Sequence, residues 1–175
     1  VTPASFIGEA LIGWLLADLI AGVVHWLEDR VLSPRLPGLR SIIAAQRLHH
    51  ASPQAFAAGG LIARNGTTWA AAGVVSIVWA IAFGLSVTWA VATLGGLLAS
   101  QAHFYAHCPR HAGPIVRVLQ DVGLLQSAKH HAAHHRPPHA TRYCPLTDLL
   151  NPVLDALGVW TRLEQLLRIA PEPVR

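Results

Sequence analysis

Thr67-Thr68-Trp69-Ala70-Ala71-Ala72-Gly73-Val74-Val75-Ser76-Ile77-Val78-Trp79-Ala80-Ile81-Ala82-Phe83-Gly84-Leu85-Ser86-Val87-Thr88-Trp89 opens an apolar run that reaches His107. The run is longer than the roughly 20 residues that one membrane span needs. Its weak point is Gly84-Leu85-Ser86, near the middle. Read as two spans joined by a tight turn there, about 67–84 and 87–106, it brings both of its ends to one side of the bilayer. Trp69 and Trp89 then sit near opposite interfaces, where amphipathic rings are favoured. Read as one long tilted helix, it separates the histidines that precede it from those that follow and leaves no shared site.

The composition supports a bilayer as solvent. Hydrophobic residues make up 53% of the 175-residue chain and charged residues 13%, against about 25% charged in ordinary soluble domains. Mean hydropathy is +0.41. The net charge of +4 does not point to nucleic acid, because the basic residues are scattered among apolar segments and read as topology signals. Cys108 and Cys144 form neither a disulfide framework nor a zinc-type pair.

Upstream, residues 5–27 are the first apolar stretch. A cleaved signal peptide fits badly there, since no positive region precedes the stretch and its far end carries His25 and Asp29. Asp18, Gly22, His25 and Asp29 fall on one stripe of a helix. Ionisable residues in a span usually face a protein interior; Asp18 is either a site residue or an interhelical hydrogen-bond partner. Residues 28–66, rich in Arg and Pro, are extramembrane, with a helix expected near 40–50 that carries His49-His50. Neighbouring histidines leave a helix on different faces, so this pair either splits between two ions or supplies one ligand and one structural contact.

Downstream, His103 and His107 are four residues apart at the end of the second half of the run. Residues 114–128 read as an interfacial amphipathic helix that starts at Pro114 and leads directly into Lys129-His130-His131-Ala132-Ala133-His134-His135. His130 with His134, and His131 with His135, share helix faces, a spacing at which two imidazoles can hold one ion. A helix is expected around Leu154–Leu167, followed by a tail with Pro171 and Pro173.

Three spans place His25, His49, His50, His103, His107 and the 130–135 cluster on one side. All 13 Lys and Arg residues fall on that side too, which the positive-inside rule makes cytoplasmic. The fold class is therefore an all-α membrane protein: about three transmembrane helices, plus interfacial and cytoplasmic helices enclosing a His-rich dinuclear metal site. So many imidazoles exceed one tetrahedral ion, whereas two ions with four or five ligands each would use the set. Imidazole suits iron, zinc, copper and nickel alike. A site at the mouth of apolar spans suits a lipid chain, whose unactivated C–H bonds need an oxidant such as iron with O2. A zinc hydrolase at a lipid headgroup and a metal carrier are the alternatives; a carrier usually places its ligands at the bilayer midplane.

The chain also resembles the plasmanylethanolamine desaturase/CarF/Kua lipid desaturase family from Asp18 to about Leu167. The resemblance rests on Asp18-x3-Gly22-x2-His25-Trp26-x2-Asp29, His49-His50-x2-Pro53, Asn65-Gly66 and Gln101-x-His103-x3-His107. It continues in Leu119-Gln120-Asp121, His130-His131-x2-His134-His135-x2-Pro138-His139, Tyr143-Cys144, Asn151 and Trp160-x2-Leu163-Glu164. Phe104-Tyr105-Ala106 stands where the family often has Lys-Trp-Ser, and Asp148-Leu149 where the animal enzyme has Gly-Trp.

The resemblance implies one lipid desaturase domain over residues 1–175, with a cytoplasmic His-rich cap formed by 28–66 and 107–170. It implies a membrane di-iron oxygenase that removes two hydrogens from a phospholipid alkyl or acyl chain, with plasmanylethanolamine as the favoured substrate type. The expected metal ligands are His25, His49, His50, His103, His107, His130, His131, His134 and His135. Asp29 is either a ligand or the acceptor that orients a histidine, and His139 is an expected tenth imidazole. Asn65, Gln101 and Asp121 are expected around the ligands, Tyr143 and Cys144 as packing, and His111 on the surface. The cofactors are two iron ions, with zinc able to replace them on purification, and O2 is the co-substrate. The chain carries no haem, flavin or iron–sulfur motif, so an external electron donor of cytochrome b5 or ferredoxin type is implied. A di-metal lipid hydroxylase and a non-catalytic metal-binding or transport protein remain the competing functions.

Overall fold

A computed structural model describes residues 2–169, and every regular element among them is helical. Helix α1, Pro3–Trp26, starts at an N-cap: the Thr2 side chain accepts a hydrogen bond from the Ser5 amide, and Pro3 takes the first helical position, where no amide hydrogen is needed. A single π-helical turn, Leu27–Val31, continues it. Helices α2, Arg40–Ala51, and α3, Pro53–Ala58, follow. The long run then folds as a hairpin, α4 (Leu61–Phe83) and α5 (Val87–His107).

The break at Gly84-Leu85-Ser86 has a physical cause. Gly84 ends α4 at φ 78, a left-handed conformation that side chains disfavour, and the Ser86 side chain caps α5 by accepting from the Trp89 amide at 3.0 Å. Two indoles then tie the hairpin together: Trp69 Nε1 donates to the Leu97 carbonyl and Trp89 Nε1 to that of Ser76, each at 3.0 Å. Helix α4 begins six residues earlier than its apolar stretch suggests, so Arg64 and Asn65 lie inside it. A helix needs no uninterrupted apolar run at the end that meets a polar cap.

Helix α5 packs against both α1 and α4, with Ala92, Gly95, Ala99 and Ala102 buried along it. Small residues let backbones approach closely. Among the described residues, two helices are long and apolar enough to cross a membrane: α1 with the turn that extends it to Val31, and α4. Helix α5 is less apolar because its last turns carry Gln101, His103 and His107.

Beyond α5 lie α6 (Pro114–Asp121), α7 (Ala128–His134), α8 (Leu150–Ala156) and α9 (Val159–Leu166). Helix α6 is shorter than the expected 114–128. It stops at Asp121, Gly123 turns the chain at φ 75, and Ser127 caps α7 anew. The expected helix over 154–167 is likewise two helices, separated by Gly158 at φ 60. The tail with Pro171 and Pro173 lies outside the described residues.

The segment that joins α7 to α8 forms the floor of the cap. Tyr143, Cys144, Leu146 and Thr147 are fully buried without regular structure, so their backbone groups need side-chain partners. Asn151 bonds both the amide and the carbonyl of Cys144. Gln126 Nε2 donates to that same carbonyl, and the Gln126 amide donates to the Leu146 carbonyl. Asp18, buried in α1, accepts from the Leu146 amide and the Thr147 hydroxyl. Asp18 thus anchors the cap floor to α1 and is not part of the site.

Candidate metal centre

The stripe on α1 is built to hold this floor. A Cβ at Gly22 would stand 2.6 Å from Cys144 Sγ and 3.1 Å from its Cα, so only glycine lets the segment lie on the helix. One turn on, His25 Nδ1 donates to the Tyr143 carbonyl at 2.9 Å. Burial pushes the Cys144 thiol up, so the residue packs as a small apolar group. Trp26, Tyr143, Cys144 and Trp160 close the core beneath. Arg30 reaches Glu164 at 2.6 Å and pins the π-helical turn to α9.

Two clusters of ligand atoms form above that floor. In one, His25, Asp29, His50 and His134 each aim a nitrogen or carboxylate oxygen inward, all within 4.8 Å of one another. Asp29 Oδ1 lies 3.1 Å from His50 Nε2, and Asp29 Oδ2 lies 3.4 Å from His25 Nε2 and 3.6 Å from His134 Nε2. In the other, His49, His103, His107, His131 and His135 converge through their Nε2 atoms. His103 Nε2 is 3.1 Å from that of His49 and 3.0 Å from that of His107; His131 Nε2 is 2.7 Å from His107 and 2.9 Å from His135.

These distances fit bound ions. With ligand bonds of about 2.0–2.1 Å, adjacent donors around an ion stand about 2.8–3.4 Å apart and opposite donors about 4.2 Å. A ring N–H can donate to one neighbour only, so mutual approach of five ring nitrogens calls for a shared cation. The tautomers agree. His25 and His134 spend Nδ1–H on the Tyr143 and Thr141 carbonyls, at 2.9 and 2.7 Å. That leaves the Nε2 lone pairs facing Asp29, and His25 Nε2, His134 Nε2 and Asp29 Oδ2 are buried with no hydrogen-bond partner. Backbone acceptors behind metal-binding histidines orient them in this way.

Electrostatics keep His49, His131, His134 and His135 neutral, the form that binds metal. Burial, then neighbouring imidazoles, push His49 down to about 2 and His135 down to about 3. The same causes hold His131 and His134 well below the usual histidine range. The donor sets, one all imidazole and one of three imidazoles with a carboxylate, suit iron, zinc or another first-row ion.

Of the expected ligands, the structure brings eight histidines and Asp29 into the two clusters. His130 belongs to neither: its Nδ1 turns toward Asp148 at 3.8 Å. At the first turn of α7 it faces the cap floor, while His131 and His135 face α5. His139 also stands outside, with its ring 4.7 Å from that of His50 and its carbonyl accepting from the Tyr143 hydroxyl. His111 is exposed, against Phe104. Asn65 is buried and donates to Gln101, two residues before His103. Asp121 is exposed at the end of α6.

Sequence reading missed Gln46, whose Nε2 donates to Asp29 Oδ1 at 2.9 Å and lies 3.4 Å from His50 Nε2. Its position four residues before His50 on α2 was the available signal. A cavity of about 550 Å³ runs between α1, α4 and α5, from Trp79 and Trp89 to His25, His49 and His103. It therefore touches both ligand clusters. Trp89 and His103 are 14 residues apart on one helix, a rise of about 21 Å.

No solved structure matches the chain. A viral protein of Acanthamoeba polyphaga mimivirus named "Probable fatty acid desaturase" is 30% identical, over 89% of this chain and 79% of its own length. Plasmanylethanolamine desaturase 1 of Mus musculus is 31% identical, over 95% of this chain and 66% of its own. The chloroplastic fatty acid desaturase 4 of Arabidopsis thaliana is 34% identical, over 87% of this chain and 48% of its own. The chain thus spans half to four-fifths of these relatives. Since the lipid desaturase domain family matches residues 14–171, nearly the whole sequence, the chain belongs to that family of oxidoreductases.

Proposed function

We propose that this chain is an integral-membrane, di-iron, O2-dependent lipid desaturase acting on an alkyl or acyl chain of a phospholipid. Conversion of the plasmanylethanolamine type to a plasmalogen is the favoured instance. The observation that carries this reading is the cavity: an apolar channel of lipid-chain proportions that ends on both clusters of ligand atoms. In this reading α1, α4 and α5 cross the bilayer, residues 1–175 form one domain, and the cap with its metal centre faces the cytoplasm, where the basic residues gather.

His25, Asp29, His50 and His134 would hold one iron, and His49, His103, His107, His131 and His135 the other. Iron with O2 supplies an oxidant able to break unactivated C–H bonds. The chain's own residues do the rest. The Tyr143 and Thr141 carbonyls fix the ring orientations of His25 and His134, and Gln46 fixes Asp29. Ala17, Ala21 and Val24 on α1 and Ala92 and Ala99 on α5 form an apolar wall that positions the chain and excludes water. Two hydrogens leave adjacent carbons and O2 becomes two waters. The balance takes two electrons and two protons, which an external donor of cytochrome b5 or ferredoxin type supplies.

The test is to load the purified protein with ferrous iron, supply a reductant and an alkyl phospholipid, and weigh the product. Two irons per chain and a product lighter by two hydrogens are expected. A product heavier by one oxygen would make the chain a hydroxylase. No product and no O2 uptake from an iron-loaded sample would leave a metal-binding protein.

A further inference from the structure

The cavity that meets the metal centre also carries one fixed positive charge. Among the described residues that line it, the only Lys or Arg is Arg64, near the start of α4. Its guanidinium carbon lies 3.9 Å from the centre of the Phe104 ring, and Phe104 directly follows the ligand residue His103. One terminal nitrogen donates to the Gly59 carbonyl. The Nε–H is buried and has no hydrogen-bond partner. Among the described residues no carboxylate makes an ion pair with it. Glu28 enters the same cavity from the α1 side without reaching it.

A desolvated charge is costly unless something pairs with it. The Phe104 face offsets part of that cost. A guanidinium has five N–H donors in a fork, and Gly59 takes one. The remaining donors match an oxyanion that can accept two parallel hydrogen bonds. The cavity separates its chemistry along its length: Val75, Trp79 and Trp89 line the end near the hairpin turn, and Ser41, Gln46 and Arg64 the end near the cap.

We propose that Arg64 binds the phosphodiester of the lipid whose chain occupies this cavity. The proposal rests on the lipid reading given above and adds the residue that recognises the head. A lipid held there runs its first chain carbons past His103 and its tail toward Trp79 and Trp89. A carboxylate, the head of a free fatty acid, offers the same fork, so the test must separate the two anions.

Binding is read from quenching of tryptophan fluorescence by lipids brominated near the chain end, in phosphate-free maltoside detergent. Three probes share one chain: an alkyl-acyl-glycerophosphoethanolamine, the matching alkyl-acyl-glycerol without phosphate, and the free fatty acid. The wild type is expected to bind the phospholipid roughly tenfold or more tightly than the glycerol, the worth of a charge-assisted hydrogen-bond pair. Arg64→Gln should erase that preference while leaving affinity for the glycerol and metal content unchanged, with the melt lowered only by the lost Gly59 and Phe104 contacts. Arg64→Lys, which keeps charge but not the fork, should retain part of it and guards against a folding defect. An equal preference in wild type and Arg64→Gln overturns the proposal while chain binding stands. Fatty acid binding that is tighter and Arg64-dependent also overturns it, by giving the residue a carboxylate. If no probe quenches, the lipid reading of the cavity fails together with the proposal.

Discussion

His49 and His50 are neighbours in the chain but belong to different clusters: His49 Nε2 lies 3.1 Å from His103 Nε2, and His50 Nε2 lies 3.1 Å from Asp29 Oδ1. Helix α2 therefore serves both clusters from one turn, its two rings 5.6 Å apart and nearly perpendicular. His134, the last residue of α7, and His135, which follows it, divide in the same way. The expected consequence is selective loss: His49→Ala and His50→Ala each reduce bound metal from two ions to one per chain, and each reduces turnover to background. Elemental analysis of purified variants checks it. Loss of both ions from either variant would mean that the clusters fill as one unit.

Gln46 holds Asp29 in place and lies beside His50, both members of one cluster. Gln46→Leu removes that donor while keeping the side chain's bulk. Removing such orienting partners costs about 10–100-fold in metal affinity. The loss should fall on one ion only, so a chelator titration of the variant is expected to show two separated phases where the wild type shows one or two close ones.

Much of this arrangement is legible in the sequence wherever a period carries it. The break at Gly84-Leu85-Ser86, the pairs His103/His107 and His131/His135, and the stripe from Asp18 to Asp29 all follow from helical spacing. The cap floor is not legible, because residues 135–149 have no periodicity and act through backbone carbonyls at Thr141 and Tyr143 that any residue could present. Spacing also misplaces His130: it shares a face with His134, but the ring's direction is set by Ser127 capping its amide and by Asp148 beside it. The breaks after Asp121 and at Gly158 fall at glycines in the left-handed region, Gly123 and Gly158, where a helix can end.

Asp18 should be a stability residue. Its carboxylate accepts from the Leu146 amide at 2.8 Å and from the Thr147 hydroxyl, with no exposure to solvent. Asp18→Leu leaves two buried donors unpaired, at about 1–3 kcal/mol each. Thermal melts in detergent are expected to show a large drop, and Thr147→Val a drop as well, because its hydroxyl both donates to Asp18 and accepts from the Leu149 amide at 3.1 Å. An unchanged melt for Asp18→Leu would mean that water reaches the floor.

Acid should destabilise the metal-free cap. Unfolded imidazoles protonate near pH 6.5, whereas His135 in the fold is held at about 3 and His49 at about 2. As pH falls below 6.5 the unfolded chain takes up protons that the folded cap refuses, so stability is present above that pH and drains away below it. The loss is roughly 1–2 kcal/mol per buried imidazole between pH 7 and 5. Melting temperature of metal-stripped protein should therefore fall steadily over that range. A flat profile would show that the rings take up protons in the fold as readily as in the unfolded chain.

His130 and His131 separate spacing from geometry. His131 is buried among His107, His103 and His135, with its Nε2 2.7 Å from that of His107. His131→Ala should therefore cost an ion and abolish turnover. His130 faces Asp148, whose carboxylate is independently held by the Ser127 amide at 2.9 Å. His130→Ala should leave both ions bound and shift stability by no more than about 1–3 kcal/mol. Metal analysis of the two variants side by side decides the matter. A lost ion in His130→Ala would bring that ring into a cluster and redraw the centre with ten ligand residues.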